Sequence, residues 1–465
     1  MVNGPVTVQR YINPSLNPGA GYRHYSAPVS NSTVGDLTTG GFSPTINPAY
    51  NALATPGVVV PFPTVFGYDQ SRLNLANNYS PFDKGFFSPS TTSDPLAAGR
   101  GYAVNIGADQ LVDFTGTLNN GTVTVGLASN RDSYPDGGWH LVGNPYPAPL
   151  NYGAVAAADR TGLDAAVYVF SSTSQYNGQY RAYVNGVGGN PVIPSGQGFF
   201  ARVAAGQPTG TLTFRNVQRL TAPNATAFQR SLETQPLVQL TLRGATARES
   251  DEMYVYFENG ATSGFDAQYD AAKLPNSTGL NLSAGGTGPR LAVCALPASG
   301  TAAVTVPLVV GLPTTGSYTL HAAQLLNFTA GKQPFLRDLQ LNTLNDLSQH
   351  PTYTFTMNAA NTAPRFELVF GAQQVLETAS AALSAQVAVF PNPATKAVTV
   401  ELPAAVSRQA VAAVLVDALG RQAMQQVLPA GVATHTLQLT GLASGVYALR
   451  LQTAAGMVVK KLVVE

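Results

Sequence analysis

The sequence predicts an all-β protein built from several β-sandwich modules, and three observations support this fold class. Charged residues make up only 11% of the 465-residue chain, whereas glycine (45) and proline (33) are abundant and tyrosine and phenylalanine number 20 each. Aromatic and β-branched residues favour strands, and glycine and proline favour the turns that join them. Short alternating apolar runs separated by turn residues also recur along the whole chain.

Composition also limits the classes of function. The formal net charge is +1, so no excess of basic residues favours nucleic acid or an anionic membrane surface. No apolar stretch approaches the ~20 residues of a membrane-spanning helix. The single cysteine, Cys294, lies in an apolar run and is predicted to be a buried small hydrophobe. The first residues lack the pattern of a signal peptide, so the protein is expected either not to be exported or to have a leader upstream of Met1.

Residues 1–230 predict short strands between long loops, with an internal duplication at about 1–125 and 126–230. Similar segments occur in the same order in both halves: 21–37 with 137–155, 64–69 with 168–173, and 97–104 with 193–203. The number of residues between matching segments changes along the block, while the order of the segments stays the same. This combination is typical of two copies whose loops differ in length. Chance similarity among glycine-rich strands is the alternative.

An aromatic cluster lies on a predicted hairpin in the second half of this block. Asn177-Gly178 predicts a type I′ turn between two strands, and Tyr176, Tyr180 and Tyr183 lie on and after it. Flat aromatic faces suit stacking against sugar rings, which makes these three tyrosines candidates for glycan binding. Aromatic residues also supply the largest buried areas in cores, so core packing is the favoured interpretation, as it is for Trp139.

Residues 231–373 predict a second module, an antiparallel β-sandwich, because strand patterns alternate there with turn signals. Residues 374–386 predict a helical linker, since they are rich in alanine and leucine and contain neither glycine nor proline.

The second module also holds the candidates for a metal site. Carboxylates brought together on loops can bind Ca²⁺, which prefers several oxygen ligands. The candidates are Asp251, Glu252, Asp266 and Asp270. The alternative is that these carboxylates are solvated or pair with Lys273 and Arg248.

No motif for catalysis is present in the sequence. The five histidines are scattered and lack metal-ligand spacing. No nucleophile elbow, P-loop or H-E-x-x-H pattern occurs. The sequence therefore predicts a protein that is not an enzyme, with no catalytic residue and no cofactor beyond the candidate calcium.

Residues 387–465 contain seven short strand patterns and predict a compact immunoglobulin-like sandwich. Pro391 and Pro393 precede a strand in which Val398, Val400 and Leu402 alternate with polar residues. Each proline fixes its own φ and biases the preceding residue toward an extended conformation, so the pair is expected to set the entry of the first strands.

Four segments of this module closely resemble the type A C-terminal sorting domain of type IX secretion substrates of the Bacteroidetes. They are VFPNPATKAVTVEL (389–402), VLVDALGRQ (414–422), LTGLASGVYALRL (439–451) and KKLVVE (460–465). The residues that carry the resemblance are Pro391, Asn392, Pro393, Gly420, Gly441, Gly445, Tyr447, Lys460, Lys461, Leu462 and Val463. The terminal strand is expected to bury Val459, Leu462 and Val464.

The resemblance implies export to the outer cell surface or the extracellular medium. Its implied partners are the type IX machinery and a sortase-like protease that removes the domain, and then surface lipopolysaccharide if the mature protein is attached rather than released. The upstream modules resemble uncharacterised β modules of Bacteroidetes surface proteins, on segments such as WHLVGNPYPAPLNY and IPSGQGFFARV. Two functions stay open: a non-catalytic, adhesive protein, or the accessory carbohydrate-binding portion of a polysaccharide-acting enzyme whose catalytic domain lies upstream.

Overall fold

The chain divides into two compact units, Met1–Gly371 and Ala372–Glu465. A computed structural model describes residues 4–12, 17–221, 234–244, 250–286, 288–298, 303–329, 332–360, 364–370, 381–404, 406–407, 410–417, 421–453 and 456–465. Nearly all regular structure in this part of the chain is strand, which confirms the all-β fold class. No helix among the described residues has the length and apolar character needed to cross a membrane.

The first part of the larger unit is a β-sandwich. Its strands are β1 (Val6–Arg10), β2 (Ala20–Tyr25), β3 (Val29–Ser30), β4 (Val65–Tyr68), β5 (Phe86–Phe87), β6 (Tyr102–Gly107) and β7 (Val112–Leu118). One sheet has the order β2-β6-β4-β5 and the other has the order β1-β7-β3. Val104 and Ile106 of β6 share one buried core with Phe114 of β7, so the two sheets pack face to face. Short 3-10 turns in the loops span Val34–Leu37, Pro48–Asn51, Pro56–Val58, Gln70–Asn74 and Asp83–Gly85.

The second part forms a five-stranded sheet, a three-stranded sheet and one two-stranded pair. Its strands are β8 (Val123–Ala128), β9 (Trp139–Gly143), β10 (Leu150–Asn151), β11 (Arg160–Thr161), β12 (Leu163–Ser172), β13 (Gly178–Val184), β14 (Val187–Gly188), β15 (Val192–Ile193), β16 (Gly198–Val203) and β17 (Thr209–Phe214). The larger sheet has the order β14-β13-β12-β16-β9, a second sheet has the order β11-β17-β8, and β10 pairs with β15. Its 3-10 turns span Tyr152–Ala154, Ala157–Asp159 and Asn216–Gln218.

The two parts have the same strand order and contact each other reciprocally. In one sheet β6 lies between β2 and β4, and in the other β16 lies between β9 and β12. Ser26 N donates to Gly196 O, and Gly143 N donates to Gly99 O, each at 3.0 Å. Gly99 and Gly196 also both have a positive φ, +77° and +65°. These matched features support the predicted duplication.

One pair of segments aligns differently from the sequence comparison. Phe66 lies opposite Ala103 on β6, and Tyr168 lies opposite Phe200 on β16. The structure therefore matches Phe66 with Tyr168, whereas the sequence comparison matched it with Phe170. Because side chains alternate along a strand, a shift of two residues keeps an aromatic ring on the same face.

The third part of the larger unit forms one long sheet around its own core. Its strands are β18 (Leu237–Arg243), β19 (Ser250–Glu258), β20 (Ala271–Ala272), β21 (Asn281–Ala284), β22 (Leu291–Pro297), β23 (Val304–Gly311), β24 (Gly316–Leu326), β25 (Pro334–Asp338), β26 (Thr343–Asp346), β27 (Thr352–Met357) and β28 (Phe366–Phe370). The order is β26-β25-β28-β23-β21-β22-β19-β18-β24-β27, and β20 pairs with β22. The prediction of purely antiparallel strands is wrong at one place, since β19 and β22 are parallel. The connection over 259–290 is long enough for the crossover that parallel strands require.

The packing of the larger unit continues across residue 230. One buried cluster contains Tyr168 and Phe200 from the second part together with Tyr254 and Tyr256 from the third. The buried Asp251 of β19 also pairs with Arg181 of β13 at 3.2 Å. The division at 230 therefore stays a prediction about sequence modules, and the two blocks pack as one compact unit.

The smaller unit contains the seven strands that the sequence predicts. They are β29 (Ala388–Phe390), β30 (Ala397–Glu401), β31 (Val411–Val416), β32 (Gln422–Leu428), β33 (Thr434–Gln438), β34 (Gly445–Thr453) and β35 (Gly456–Val464). One sheet has the order β29-β30-β33 and the other has the order β32-β31-β34-β35. Val398, Val400 and Leu402 are buried between them, as their alternation predicts. The helix α1 (Ala381–Gln386) precedes the sandwich, and the first part of the predicted linker, 374–380, lies outside the described residues.

Candidate functional site

The loop at Pro391–Ala394 is hydrogen-bonded to the terminal strand of the smaller unit. Asn392 Nδ2 donates to Lys461 O at 2.7 Å, and Asn392 Oδ1 accepts from Val463 N at 2.8 Å. Ala394 N donates to Val463 O, and Glu465 N donates to Ala394 O, both at 2.9 Å. Two segments that carry the resemblance to sorting domains, far apart in the chain, therefore form one structural feature.

The other edge of β35 pairs with β34, where Tyr447 lies opposite Leu462. Val458 and Leu462 are fully buried and Val464 is 3% exposed, whereas Val459 is 45% exposed. The expectation that Val459 is buried is therefore wrong. Side chains alternate along a strand, so Val458 shares the inward face with Leu462 and Val464, and Val459 faces outward.

The remaining residues of the sorting pattern have structural roles around β34. Tyr447 Oη donates to Ala443 O at 2.8 Å, and the ring is buried. Gly441 has a φ of +88°, a conformation that favours glycine in the turn before the strand. Gly445 begins β34, and Gly420 lies outside the described residues.

The basic and proline residues of this pattern lie at the surface. Lys461 is exposed and Lys460 is half-buried, and neither belongs to a salt bridge between described residues. Pro391 and Pro393 each follow a cis peptide bond. The proline side chains thus flank Asn392, whose amide is the group that contacts the terminal strand.

The acidic candidates for calcium are bound by donors from the protein. Asp251 is fully buried, and its Oδ2 accepts from Lys273 Nζ at 2.5 Å and from Leu282 N at 2.7 Å. Glu252 lies 3.3 Å from Arg181 Nε, the side chain that also pairs with Asp251. The pairing with Lys273, which the sequence left open as an alternative, is the arrangement seen here, and Arg248 lies outside the described residues.

The other two carboxylates form a separate local network. Asp266 Oδ2 accepts from Thr262 N at 2.6 Å, and the buried Asp270 accepts from Asp266 N at 2.7 Å and from Ala295 N at 2.6 Å. Burial raises the pKa of Asp270 to about 6. Within the described ranges, no group of three or more His, Cys, Asp or Glu side chains could hold a metal ion. The single cysteine, Cys294, is buried as predicted, and burial raises its pKa to about 12.

A cavity of about 550 Å³ opens in the larger unit between residues of all three parts. We call it the aromatic cavity, because its wall includes the rings of Tyr22, Tyr50, Phe66, Phe82, Phe170 and Tyr180. The rings contact one another mostly edge to face or tilted; Phe170 and Tyr180, for example, have centroids 5.0 Å apart. Such contacts hold aromatic side chains in fixed orientations.

The predicted hairpin forms one wall of this cavity, but its turn differs from the prediction. Ser172 lies opposite Gly178, so five residues, 173–177, form the loop. Neither Asn177 nor Gly178 has a positive φ, and the type I′ turn is therefore wrong. Gly178 is instead required by packing, since a Cβ there would lie 2.0 Å from the ring of Phe170.

The three candidate glycan-binding tyrosines are separated by the structure. Tyr176 is 62% exposed and Tyr180 is half-buried, and both line the aromatic cavity. Tyr183 is buried in the core on the other face of the sheet. Trp139 is 4% exposed and lies in the core, as expected.

The lining of the aromatic cavity also includes two polar side chains, His24 and Asp83. His24 is 3% exposed, stacks on Phe170 at 5.2 Å, and its Nδ1 has no hydrogen-bond partner. Burial lowers the pKa of His24 to about 3, so the imidazole is neutral near pH 7. Asp83 accepts a hydrogen bond from Ser80 Oγ at 2.7 Å and belongs to no salt bridge in the described part of the chain.

Sequence reasoning missed His24, Asp83 and the phenylalanines of this wall. Their one local signal is the density of aromatic residues between Tyr50 and Phe87. That density does not indicate which rings face a cavity, because aromatic residues of a core have the same composition.

Residues 2–370 match a family described as a domain of unknown function (DUF8693). The chain belongs to this family. Residues 388–465 match the secretion system C-terminal sorting domain, which confirms the resemblance drawn from the sequence. The protein is therefore a type IX secretion substrate, exported to the cell surface or the extracellular space. The DUF8693 region contains the aromatic cavity, and the sorting domain contains the loop at Asn392.

Comparison with curated proteins gave no match. Among solved structures, dimeric latent PorU from Porphyromonas gingivalis is similar at 10% identity with a TM-score of 0.15, over 55% of this chain and 31% of the PorU chain. The BSP domain of a biofilm-associated protein is similar at 8% identity with a TM-score of 0.15, over 99% of this chain and 95% of that one. This chain thus spans about a third of the PorU chain, and neither likeness is strong enough to support an argument about function.

Proposed function

We propose that this type IX substrate is a non-catalytic, adhesive binding protein, and that its DUF8693 region binds glycan in the aromatic cavity. The observation that carries the proposal is an open cavity with aromatic walls and a buried imidazole nitrogen that has no partner. Its volume of about 550 Å³ falls in the range of small-molecule sites.

The chemistry of the cavity suits a sugar ring. Sugars present apolar C–H faces, which pack against aromatic faces such as those of Tyr176 and Tyr180. They also carry hydroxyl groups, which can donate to the Asp83 carboxylate or to the neutral His24 imidazole. A buried polar atom without a partner costs free energy, and a bound hydroxyl would supply the missing hydrogen bond at His24.

The same groups favour binding over hydrolysis. Glycoside hydrolysis ordinarily uses two carboxyl groups that flank the bond to be broken. Among the described residues that line the aromatic cavity, Asp83 is the one acidic side chain. His24 cannot serve as a proton donor near neutral pH, because burial lowers its pKa to about 3.

The test is binding of the full chain to a panel of neutral and acidic polysaccharides, followed by titration of the best oligosaccharide. Tyr180→Ala and Tyr176→Ala should each weaken binding by about tenfold, since each removes an aromatic face. Tyr11→Ala is the matched control, because Tyr11 is a comparably exposed tyrosine (54%) that does not line the cavity. Unchanged affinity in both cavity variants would contradict the proposal.

A further inference from the structure

A second, polar cavity lies on the opposite face of the sheet that contains β12 and β13. Its volume is about 310 Å³, and its lining includes Tyr152, Gly153, Arg160, Tyr183 and Asn185. Tyr180 faces the aromatic cavity and Tyr183 faces this one, because side chains an odd number of residues apart on a strand point to opposite faces. The two cavities are therefore separate sites.

The guanidinium of Arg160 has no carboxylate partner in this cavity. Arg160 Nη2 donates to Asn185 Oδ1 at 3.2 Å, while Arg160 Nε and Nη1 are buried without a hydrogen-bond partner. Across the described residues, no salt bridge includes Arg160. Arg160 is half-buried as a residue, but its Nε and Nη1 are buried, and buried donors of a positive charge without a counter-charge favour the binding of an anion.

The acidic side chains closest to Arg160 in sequence pair with other arginines. Asp159, the preceding residue, accepts from Arg215 Nε at 2.7 Å and from Gln218 Nε2 at 3.1 Å. Asp164 pairs through Oδ2 with Arg131 at 3.1 Å, and its Oδ1 has no hydrogen-bond partner. Neither carboxylate forms a salt bridge with Arg160.

A second donor without a partner lies in the same cavity. Tyr152 is 3% exposed, and its Oη has no hydrogen-bond partner. Burial raises the pKa of Tyr152 to about 12, so the hydroxyl keeps its proton at physiological pH. Gly153 allows the Tyr183 hydroxyl to approach the backbone closely, since a Cβ there would lie 2.8 Å from Tyr183 Oη.

We propose that this cavity, the Arg160 site, binds a small oxyanion such as a carboxylate, sulfate or phosphate group. The unpaired groups of the two lining residues Arg160 and Tyr152 can all donate hydrogen bonds, and the guanidinium carries a positive charge. An oxyanion supplies both the negative charge and several acceptor oxygens, and hydrogen bonds between charged groups are the stronger kind. The cavity volume limits the ligand to a small anion or to a single anionic group of a larger molecule.

The experiment is calorimetric titration of the full chain with sodium acetate, sulfate and phosphate, at an ionic strength held constant with chloride. At least one of these anions should bind, and comparison of the three distinguishes a carboxylate site from a sulfate or phosphate site. Arg160→Gln should weaken binding at least tenfold, and Tyr152→Phe should weaken it about fivefold, the loss expected for one hydrogen bond. Arg421→Gln, which changes an exposed arginine of the sorting domain, should have no effect.

Tyr152→Phe separates binding from folding. Because Tyr152 Oη has no partner in the protein, its removal should leave the unfolding midpoint without anion unchanged or slightly raised. The stabilisation by added anion should be smaller than in the wild type. If none of the three anions binds, or if neither cavity variant weakens binding, water fills the cavity and the proposal is wrong.

Discussion

Deleting Lys460–Glu465 should abolish export of the protein. The deletion removes the end of β35, including the side chains of Leu462 and Val464, which are 0% and 3% exposed. It also removes the hydrogen bonds that Asn392 and Ala394 make to the terminal strand. The remaining sandwich would expose the unpaired edge of β34 and one side of its core.

The burial of these two side chains gives the magnitude. Each large apolar side chain contributes about 1.5–3 kcal/mol when fully buried, so the pair contributes about 3–6 kcal/mol. The hydrogen bonds to Asn392 and Ala394 add about 1 kcal/mol each. This sum approaches the whole unfolding free energy of a typical small domain, which is roughly 5–15 kcal/mol. The sorting domain should therefore lose its fold, whereas the core of Met1–Gly371, which shares no residue with the sorting-domain core, should keep its own.

The assay follows the larger unit by immunoblot in periplasmic, surface and culture-medium fractions of a strain with a type IX secretion system. The truncated protein should accumulate in the periplasm. Val459→Ala is the control, because it changes the terminal strand at an outward-facing position and leaves the buried side chains intact. Its export should equal that of the wild type.

Export of the truncated protein at the wild-type level would refute this reasoning. It would mean that neither the terminal strand nor the folded sandwich is required for recognition. If the Val459→Ala variant is also retained in the periplasm, the secretion machinery recognises the outward-facing side chains of β35 directly.

Four further predictions follow from named contacts. Val458→Ala should lower the unfolding free energy of the sorting domain by about 2 kcal/mol, whereas Val459→Ala should lower it by less than about 0.5 kcal/mol, because of the two only Val458 is buried. Urea unfolding followed by hydrogen exchange measures both values. Equal losses in the two variants would contradict the burial of Val458. Asn392→Ala should cost about 2 kcal/mol in the same measurement, since it removes two hydrogen bonds to β35, and an unchanged stability would show that water replaces them. His140 is buried and its pKa is lowered to about 4, so its contribution to stability is present above pH 6.5 and is lost as the pH falls toward 4. Between pH 6 and 5, the unfolding free energy of the wild type should fall by about 1.2 kcal/mol more than that of His140→Gln. Parallel curves would mean that the imidazole has the same pKa in the folded and unfolded states. Processing by the secretion protease should occur within 375–386, as expected for a segment that links two units. Intact peptides spanning 371–400 in surface protein, detected by mass spectrometry, would exclude it.

The sequence alone determined the class and position of most strands. Alternation is a local property, because each strand shows its buried face in its own residues, and Val398 and Val400 are buried as that pattern predicts. The sorting domain was also identifiable from sequence, since its marker segments lie at characteristic distances from the C-terminus. In the terminal strand the two-residue alternation is correct, but the sequence prediction assigned Val459 to the buried face, which Val458 occupies instead.

Turn geometry and pair formation were less accessible to sequence reasoning. The type I′ turn at Asn177-Gly178 was predicted from a dipeptide preference, but the ring of Phe170 requires a residue without a Cβ at Gly178. The acidic residues were considered for calcium because they are close in sequence. Asp251 instead pairs with Arg181, on β13, and with Lys273, which directly follows β20.

Only the tertiary structure decided where the two candidate binding sites lie. The aromatic cavity brings together Tyr22 and Phe82 from the first part of the larger unit and Tyr180 from the second. The Arg160 site depends on two guanidinium nitrogens of Arg160, Nε and Nη1, that have no hydrogen-bond partner. A sequence cannot show that the neighbouring Asp159 already accepts a hydrogen bond from Arg215. Strand periodicity is encoded within a few residues, whereas a cavity is the space left when distant segments pack, so its lining is set by the fold as a whole.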